Sequence, residues 1–194
     1  MTRTATVERI TAETDVRVRL VVDGTGTAEV DTGIGMFDHL LTTFAHHGLF
    51  DLEVRTTGDL HVDEHHTVED TALALGEAFD RALGDRARIR RFGDAAVPMD
   101  EAIARAVVDA GGRPYAVVDL AFETPSIGRL GTQMIPHLLE AFARTARFTL
   151  HLDARGRNDH HVAEAAFKAL AVACRAALEP DPRRRGIPST KGTT

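Results

Sequence analysis

The sequence predicts an α+β fold built from two similar halves, and two observations carry that prediction. The first is an internal repeat. MFDHLLTTFAHHGLFDLEV (36–54) aligns with MIPHLLEAFARTARFTLHL (134–152) at a constant offset of 98, which sets Met36 on Met134, His39 on His137, Phe44 on Phe142 and Phe50 on Phe148. The second is the order of hydrophobic periods: each half contains segments of two-residue alternation and segments of helical spacing, the pattern of a small sheet covered by helices. Past the aligned block the offset becomes 95, as a loop three residues shorter would give, and His65, His66 and Glu69 fall on His160, His161 and Glu164. Two copies at so long a period make a duplication, not a solenoid. The halves are expected at 1–92 and 93–194, the second carrying the C-terminal tail, and the two should form one compact unit.

In the first half VRVRLVVDG alternates as a strand, and FDHLLTTFAHHG has helical spacing with Gly48 as its expected stop. LFDLEV alternates again, and TTGDLHVDE is a polar loop. From Glu64 to Leu83, the apolar Val68, Leu73, Leu75, Phe79 and Leu83 mark a long helix ended by Gly84. The second half gives strands at RIRRFGDAAV, EAIARAVVDA and YAVVDLAF, a helix at MIPHLLEAFARTA, a strand at FTLHLDA and a helix from Asp159 to Leu178. On propensity alone the segment 101–110 reads equally well as helix.

A chain of 194 residues with 43% hydrophobic content has enough apolar side chain for a real core. No apolar run approaches the roughly 20 residues that span a bilayer, and the start MTRTATVERI lacks the apolar stretch of a signal peptide, so a cytoplasmic protein without a membrane partner is expected. A net charge of −6, no Trp and one Tyr argue against nucleic acid, which calls for a basic face or stacking aromatics. The single cysteine, Cys174, lies in the apolar LAVACRAAL and reads as a small buried thiol without chemistry.

The histidines say more. On a helix, residues four apart share a face while adjacent residues point about 100° apart. His65 and Glu69 can therefore meet one metal ion while His66 faces another partner, and His160, Glu164 and His161 repeat the arrangement. With His39 and His137, eight ligands divide into two sites: His39, His66, His160 and Glu164 for one ion, and His65, Glu69, His137 and His161 for the other. Imidazole and carboxylate without thiolate suit Mn²⁺, Fe²⁺ or Zn²⁺. Four protein ligands close a tetrahedral site but leave two positions open on an octahedral ion, which favours Mn²⁺ if substrate must bind. A single histidine pair on a helix is ordinarily solvated or hydrogen-bonded; the second copy is what points to metal. His46, His61 and His151 fall outside the pattern and read as surface or packing residues, whereas His47 lies close to His39 in sequence.

A second group of residues suits an anion. Arg90 and Arg91 in RIRRFG, Arg113 in GGRPY, and Ser189 and Lys191 in PSTKG supply the guanidinium forks, hydroxyl and ammonium that a phosphate monoester needs. An arginine at a strand end is also commonly just solvated, and a terminal STKG is commonly an unordered tail.

With these residues assembled, the chain closely resembles the imidazoleglycerol-phosphate dehydratases. The matching segments are TGIGMFDHLL, GDLHVDEHHTVEDTALALGEAF, RFGDAAVPMDEA, GGRPY, RNDHHVAEAAFKAL and PSTKG, in order and over nearly the full length. The resemblance implies two halves, each a four-stranded sheet packed by helices, of the ribosomal protein S5 domain 2-like type. It also implies a homo-oligomer of 24 subunits with two Mn²⁺ per active site, formed between subunits. The implied reaction converts D-erythro-1-(imidazol-4-yl)glycerol 3-phosphate to 3-(imidazol-4-yl)-2-oxopropyl phosphate plus water in L-histidine biosynthesis, with the substrate imidazole bridging the two ions.

Residue by residue, the same resemblance assigns Arg91, Arg113, Lys168, Ser189 and Lys191 to the substrate, most of them to its phosphate, with His47 as a further contact. His39, His65, Glu69 and His160 would meet substrate as well as metal. Glu13, in TAETD, becomes the candidate general acid/base, and the metal-ligand carboxylates Glu69 and Glu164 are further candidates for moving protons. Thr42 and Thr43 follow DHLL where the family pattern has Asp-Gln, a departure that touches local substrate contacts. Some family members carry a fused phosphatase domain, and a monofunctional chain is expected here. Two rivals share these residues. A di-metal phosphate-ester hydrolase would release inorganic phosphate, although such sites are usually richer in aspartate. A structural metal site would hold an oligomer together without turnover.

Overall fold

The computed structural model describes residues 3–192. Two β–β–β–α–β–α units follow one another. The first comprises β1 (Thr4–Ile10), β2 (Thr14–Val21), β3 (Ala28–Asp31), α1 (Gly35–Gly48), β4 (Asp51–Gly58) and α2 (His65–Leu83). The second comprises β5 (Phe92–Met99), β6 (Ala102–Asp109), β7 (Tyr115–Leu120), a two-residue-stranded hairpin of β8 (Ser126–Ile127) and β9 (Leu130–Gly131), α3 (Met134–Ala146), β10 (Thr149–Arg155) and α4 (Asp159–Leu178). The sheets are ordered β1-β2-β4-β3 and β5-β6-β10-β7, so each strand of one four-stranded sheet has a counterpart in the other, and the β8–β9 hairpin is an addition of the second unit. In both, the strand that follows the first helix pairs parallel with the third strand of its unit, β3 or β7, and antiparallel with the second, β2 or β6. The α+β class expected from the sequence is the class observed.

The ambiguous segment 101–110 is a strand, β6, because Ala102, Ala104, Ala106 and Val108 alternate inward and the backbone is paired on both sides, to β5 and β10. A two-sided ladder of hydrogen bonds outweighs the helical preference of alanine. One strand start differs from expectation. The strand expected from Arg88 begins only at Phe92, since Arg88 (φ 64°) and Arg91 (φ 78°) sit in left-handed backbone that no strand continues through. Helix α1 ends at Gly48 as expected, and Leu49 caps it: its left-handed conformation (φ 57°) returns its N–H to the carbonyls of the last turn. Arg147 (φ 55°) ends α3 in the same way at the equivalent position. Strands β1 and β3 carry weak alternation and escaped the pattern reading.

The four helices lie between the two sheets: α2 packs on β1 and β2, α4 on β5 and β6, and the pairs α2–α3 and α1–α4 join the halves. Phe44 and its repeat Phe142, with Phe50 and its repeat Phe148, meet around Phe79 at ring-centroid distances of 5.1–6.1 Å, mostly edge-on. Such pairs add about 0.5–1.5 kcal/mol each beyond area burial. Two glycines allow the close approaches. A Cβ at Gly76 on α2 would stand 2.5 Å from the carbonyl of Phe142 on α3, and one at Gly93 on β5 would stand 2.1 Å from the carbonyl of Ala173 on α4. These contacts fix how far α2 sits from α3 and α4 from its sheet. No helix among the described residues is long and apolar enough to cross a membrane.

Candidate metal centre

Both histidine pairs lie in the first turn of a helix, and in both an Asx side chain two positions before the first histidine accepts from that histidine's amide. Asp63 Oδ1 accepts from the His65 amide at 2.8 Å, and Asn158 Oδ1 accepts from the His160 amide at 3.0 Å. The cap holds the first-turn backbone, and the four-residue spacing then sets the following glutamate over the first histidine.

The α1–α4 contact brings His39 to the second motif. His39 Nε2 lies 3.3 Å and His160 Nε2 3.1 Å from Glu164 Oε2, with the two rings stacked at 5.6 Å. On the other face, α2–α3 packing brings His137 to the first motif: His65 Nε2 and His137 Nε2 each lie 3.6 Å from a Glu69 oxygen, and their rings are 4.9 Å apart. Six of the eight expected ligands thus form two groups of three, His39–His160–Glu164 and His65–Glu69–His137. Donor separations of 3.1–3.6 Å match those around an ion held by bonds of about 2.1 Å. His137 Nε2 is moreover buried without a hydrogen-bond partner. An orphaned buried imidazole nitrogen aimed at a carboxylate fits a cation between them.

His66 and His161 stand apart from both groups within the chain. Nδ1 of His66 is 3.0 Å from Asp59 Oδ2 and 3.8 Å from Glu13 Oε2. Nδ1 of His161 is 2.9 Å from Glu101 Oε2, with Asp100 at 3.9 Å from Nε2. Each hydrogen-bonded carboxylate raises the pKa of its imidazole, and His161 in return holds the Glu101 carboxyl down at about 2. Glu164 is also held at about 2: burial pushes it up, but donation from Lys168, 2.6 Å away, and from His39 outweighs that. His47 is lowered by burial and then by the Lys168 charge, which favours the neutral ring.

The residues expected to bind an anion lie elsewhere. Arg91 grips Asp109 with two hydrogen bonds, 2.7 and 2.9 Å, and donates from Nη1 to Pro188 O at 2.9 Å, so PSTKG is tied beside it. A Cβ at Gly111 would stand 2.7 Å from the Arg91 guanidinium, a close approach that glycine at this position allows. Arg113 is exposed. Ser189 and Lys191 share a turn in which the Lys191 amide donates to Ser189 Oγ at 3.2 Å. Arg91 meets α4 at Ala177, whereas Lys168 stays with Glu164. Along α4, Glu164 and Ala177 are about 20 Å apart.

Of the remaining residues, His46, His61 and His151 are exposed, as expected for surface positions; Thr42 is exposed and Thr43 buried. Sequence reasoning passed over Asp59, Glu101 and Arg144, whose Nη2 lies 3.3 Å from Glu69 Oε1. Their carboxylate and guanidinium groups recur throughout the chain, and only folding picks out these three. Beside His137 opens a cleft of about 500 Å³ lined also by Pro114, Tyr115, Glu140 and Arg144.

The arrangement matches known proteins. Residues 32–174, which contain both histidine motifs, fit the family model of imidazoleglycerol-phosphate dehydratase. The chain belongs to the imidazoleglycerol-phosphate dehydratase family. It is 55% identical over 192 residues to the dehydratase of Gluconacetobacter diazotrophicus, covering 98% of this chain and 97% of that one. With the Thermobifida fusca dehydratase it shares 56% over 196 residues and the whole of both chains. Among solved structures, the Pyrococcus furiosus dehydratase in complex with (S)-C348 superposes with a TM-score of 0.83 at 34% identity, covering 97% of this chain and all of that one. The Staphylococcus aureus dehydratase gives 0.82 at 31%, covering 91% and 99%. The protein is accordingly a hydro-lyase of histidine biosynthesis, acting on a phosphate substrate as dehydratases of this family do.

Proposed function

We propose that dehydration of imidazole glycerol phosphate takes place at two-ion centres completed by residues from neighbouring subunits. One ion would be held by His39, His160, Glu164 and a neighbour's copy of His66, the other by His65, Glu69, His137 and a neighbour's copy of His161. Two divalent ions, Mn²⁺ by resemblance, would supply Lewis-acid stabilisation for the charge that develops on a substrate imidazole bridging them.

The chain's own groups supply the rest. Arg91, Arg113, Ser189 and Lys191 hold the phosphate by charge-assisted hydrogen bonds. Glu13, beside His66, takes the weakly acidic C–H proton, and the departing hydroxyl leaves as water once protonated. Lys168, held by Glu164, and the neutral His47 offer polar contacts at the ring end. Tautomerisation then gives the ketone.

The observation that carries this reading is the division of one chain's residues: two groups of three ligands, a fourth histidine of each motif turned elsewhere, and the phosphate-binding end about 20 Å along α4 from Glu164. No single chain assembles them all. A homo-oligomer, 24 subunits by resemblance, would.

The test is to remove metal with chelator, restore Mn²⁺, and follow substrate conversion together with particle size. Activity and the large particle should return together, and His65→Ala and His160→Ala should each lack activity. Full activity in a particle that stays monomeric would overturn the shared site, and assembly without turnover would leave the metal a structural role only.

A further inference from the structure

Resting on the ligand assignment above, we infer that Asp59 and Glu101 are positioning residues that orient His66 and His161, holding Nδ1 of each ring so that Nε2 points outward to complete a neighbour's three-ligand group. The two histidines are repeats of one another, but the carboxylates are not: Asp59 comes from the β4–α2 connection and Glu101 from the two-residue β5–β6 turn. Two unrelated positions have supplied the same acceptor to the same nitrogen. A carboxylate on one ring nitrogen fixes the tautomer, leaves a lone pair on the other and raises its basicity toward a cation.

The surroundings support a role directed at the rings. Among the described residues, the Asp59 side chain has one hydrogen-bond partner, His66, and its Oδ1 is buried with none. A loop-building aspartate looks different: Asp51 Oδ1 accepts from the amides of Thr25, Gly26 and Thr27. Glu101 is pinned by Oε1, which accepts from the amides of Arg157 and Asn158 at 3.2 and 2.9 Å, and Oε2 is thereby aimed at His161. Asp100 (φ 49°) takes the left-handed backbone of this turn, a conformation aspartate tolerates better than most residues. Neither carboxylate belongs to the two histidine–glutamate groups; Glu101 instead clusters with Asp100 and His161.

The experiment titrates Mn²⁺ into metal-free protein, detecting free ion by electron paramagnetic resonance, and follows particle size at limiting Mn²⁺. The proteins are wild type, Asp59→Ala, Asp59→Asn, Glu101→Ala, Glu101→Gln and His66→Ala. The alanine forms of Asp59 and Glu101 should bind one class of Mn²⁺ about 10–100-fold more weakly, and the amide forms should recover part of that because an amide oxygen still accepts from Nδ1–H. His66→Ala should lose the class of ion that Asp59→Ala weakens. Wild-type titration in all four carboxylate variants, with ion loss in His66→Ala, would overturn the positioning role and leave the ligand assignment standing. Wild-type titration in His66→Ala would overturn both.

Discussion

His39 and Glu164 lie 125 positions apart in sequence, yet Nε2 of one is 3.3 Å from Oε2 of the other. The contact exists because α1 packs against α4, the helix that opens with the second histidine motif. Glu164 also receives His160 and Lys168, so a single carboxylate organises three basic groups. Glu164→Gln should therefore weaken Mn²⁺ binding and turnover by more than the roughly 10–100-fold typical of losing a group that only supports a ligand. Metal titration and steady-state rates on the same preparation check this.

Gly76→Ala should act on the other ligand group. The added Cβ would meet the Phe142 carbonyl and the Ala146 amide nitrogen, backbone atoms that cannot swing aside, and so would push α2 from α3. A cost of about 1–3 kcal/mol is expected from overpacking. Mn²⁺ affinity should fall more at His65–Glu69–His137 than at His39–His160–Glu164, because only the first group spans the displaced pair. Chemical denaturation and metal titration measure the two effects.

Phe79 joins the aromatic cluster across the halves. Phe79→Ala should cost about 3–5 kcal/mol through lost burial and the cavity left behind. Urea unfolding of the metal-free chain reads it.

Arg91 tests the phosphate end. Arg91→Lys keeps the charge but loses the two-point grip on Asp109 and the donor to Pro188. KM for the phosphate substrate should rise by about 10-fold or more, the size of one lost charge-assisted hydrogen bond, with a smaller change in kcat. The segment after Arg183 should become more open to protease. An unchanged KM would remove Arg91 from the phosphate site.

The Glu101–His161 pair gives the metal-free protein a pH window. The Glu101 carboxyl falls from an ordinary 4.5 to about 2, so its contribution is present above 4.5 and lost as pH falls toward 2. The His161 imidazole is raised above 6.5, so its contribution is present below 6.5 and lost as pH rises through the elevated value. The pair's stabilisation is therefore greatest between about pH 4.5 and 6.5. Thermal midpoints of wild type against Glu101→Gln across pH should differ most in that window, converge toward pH 2 and narrow at high pH, where the amides of Arg157 and Asn158 still donate to Glu101.

The sequence alone determined the duplication, the α+β class, the residue types of the candidate metal sites and the pairing of His65 with Glu69 and His160 with Glu164. Each follows from local information: repeated spacing, the period of apolar residues, and the rule that residues four apart share a helical face. Other features were decided by the tertiary structure alone. Propensity left 101–110 undecided until pairing on both edges made it a strand. Nothing local marked Asp59, Glu101 or Arg144, nor placed Glu13 beside His66. Helix geometry already turned His66 and His161 away from the neighbouring histidine and glutamate, but only folding supplied the carboxylates they meet. The physical reason is range. Periodicity fixes which way a side chain leaves its own helix, but the partner it finds depends on how helices and sheets pack, and that packing is set by apolar contacts spread over the whole chain.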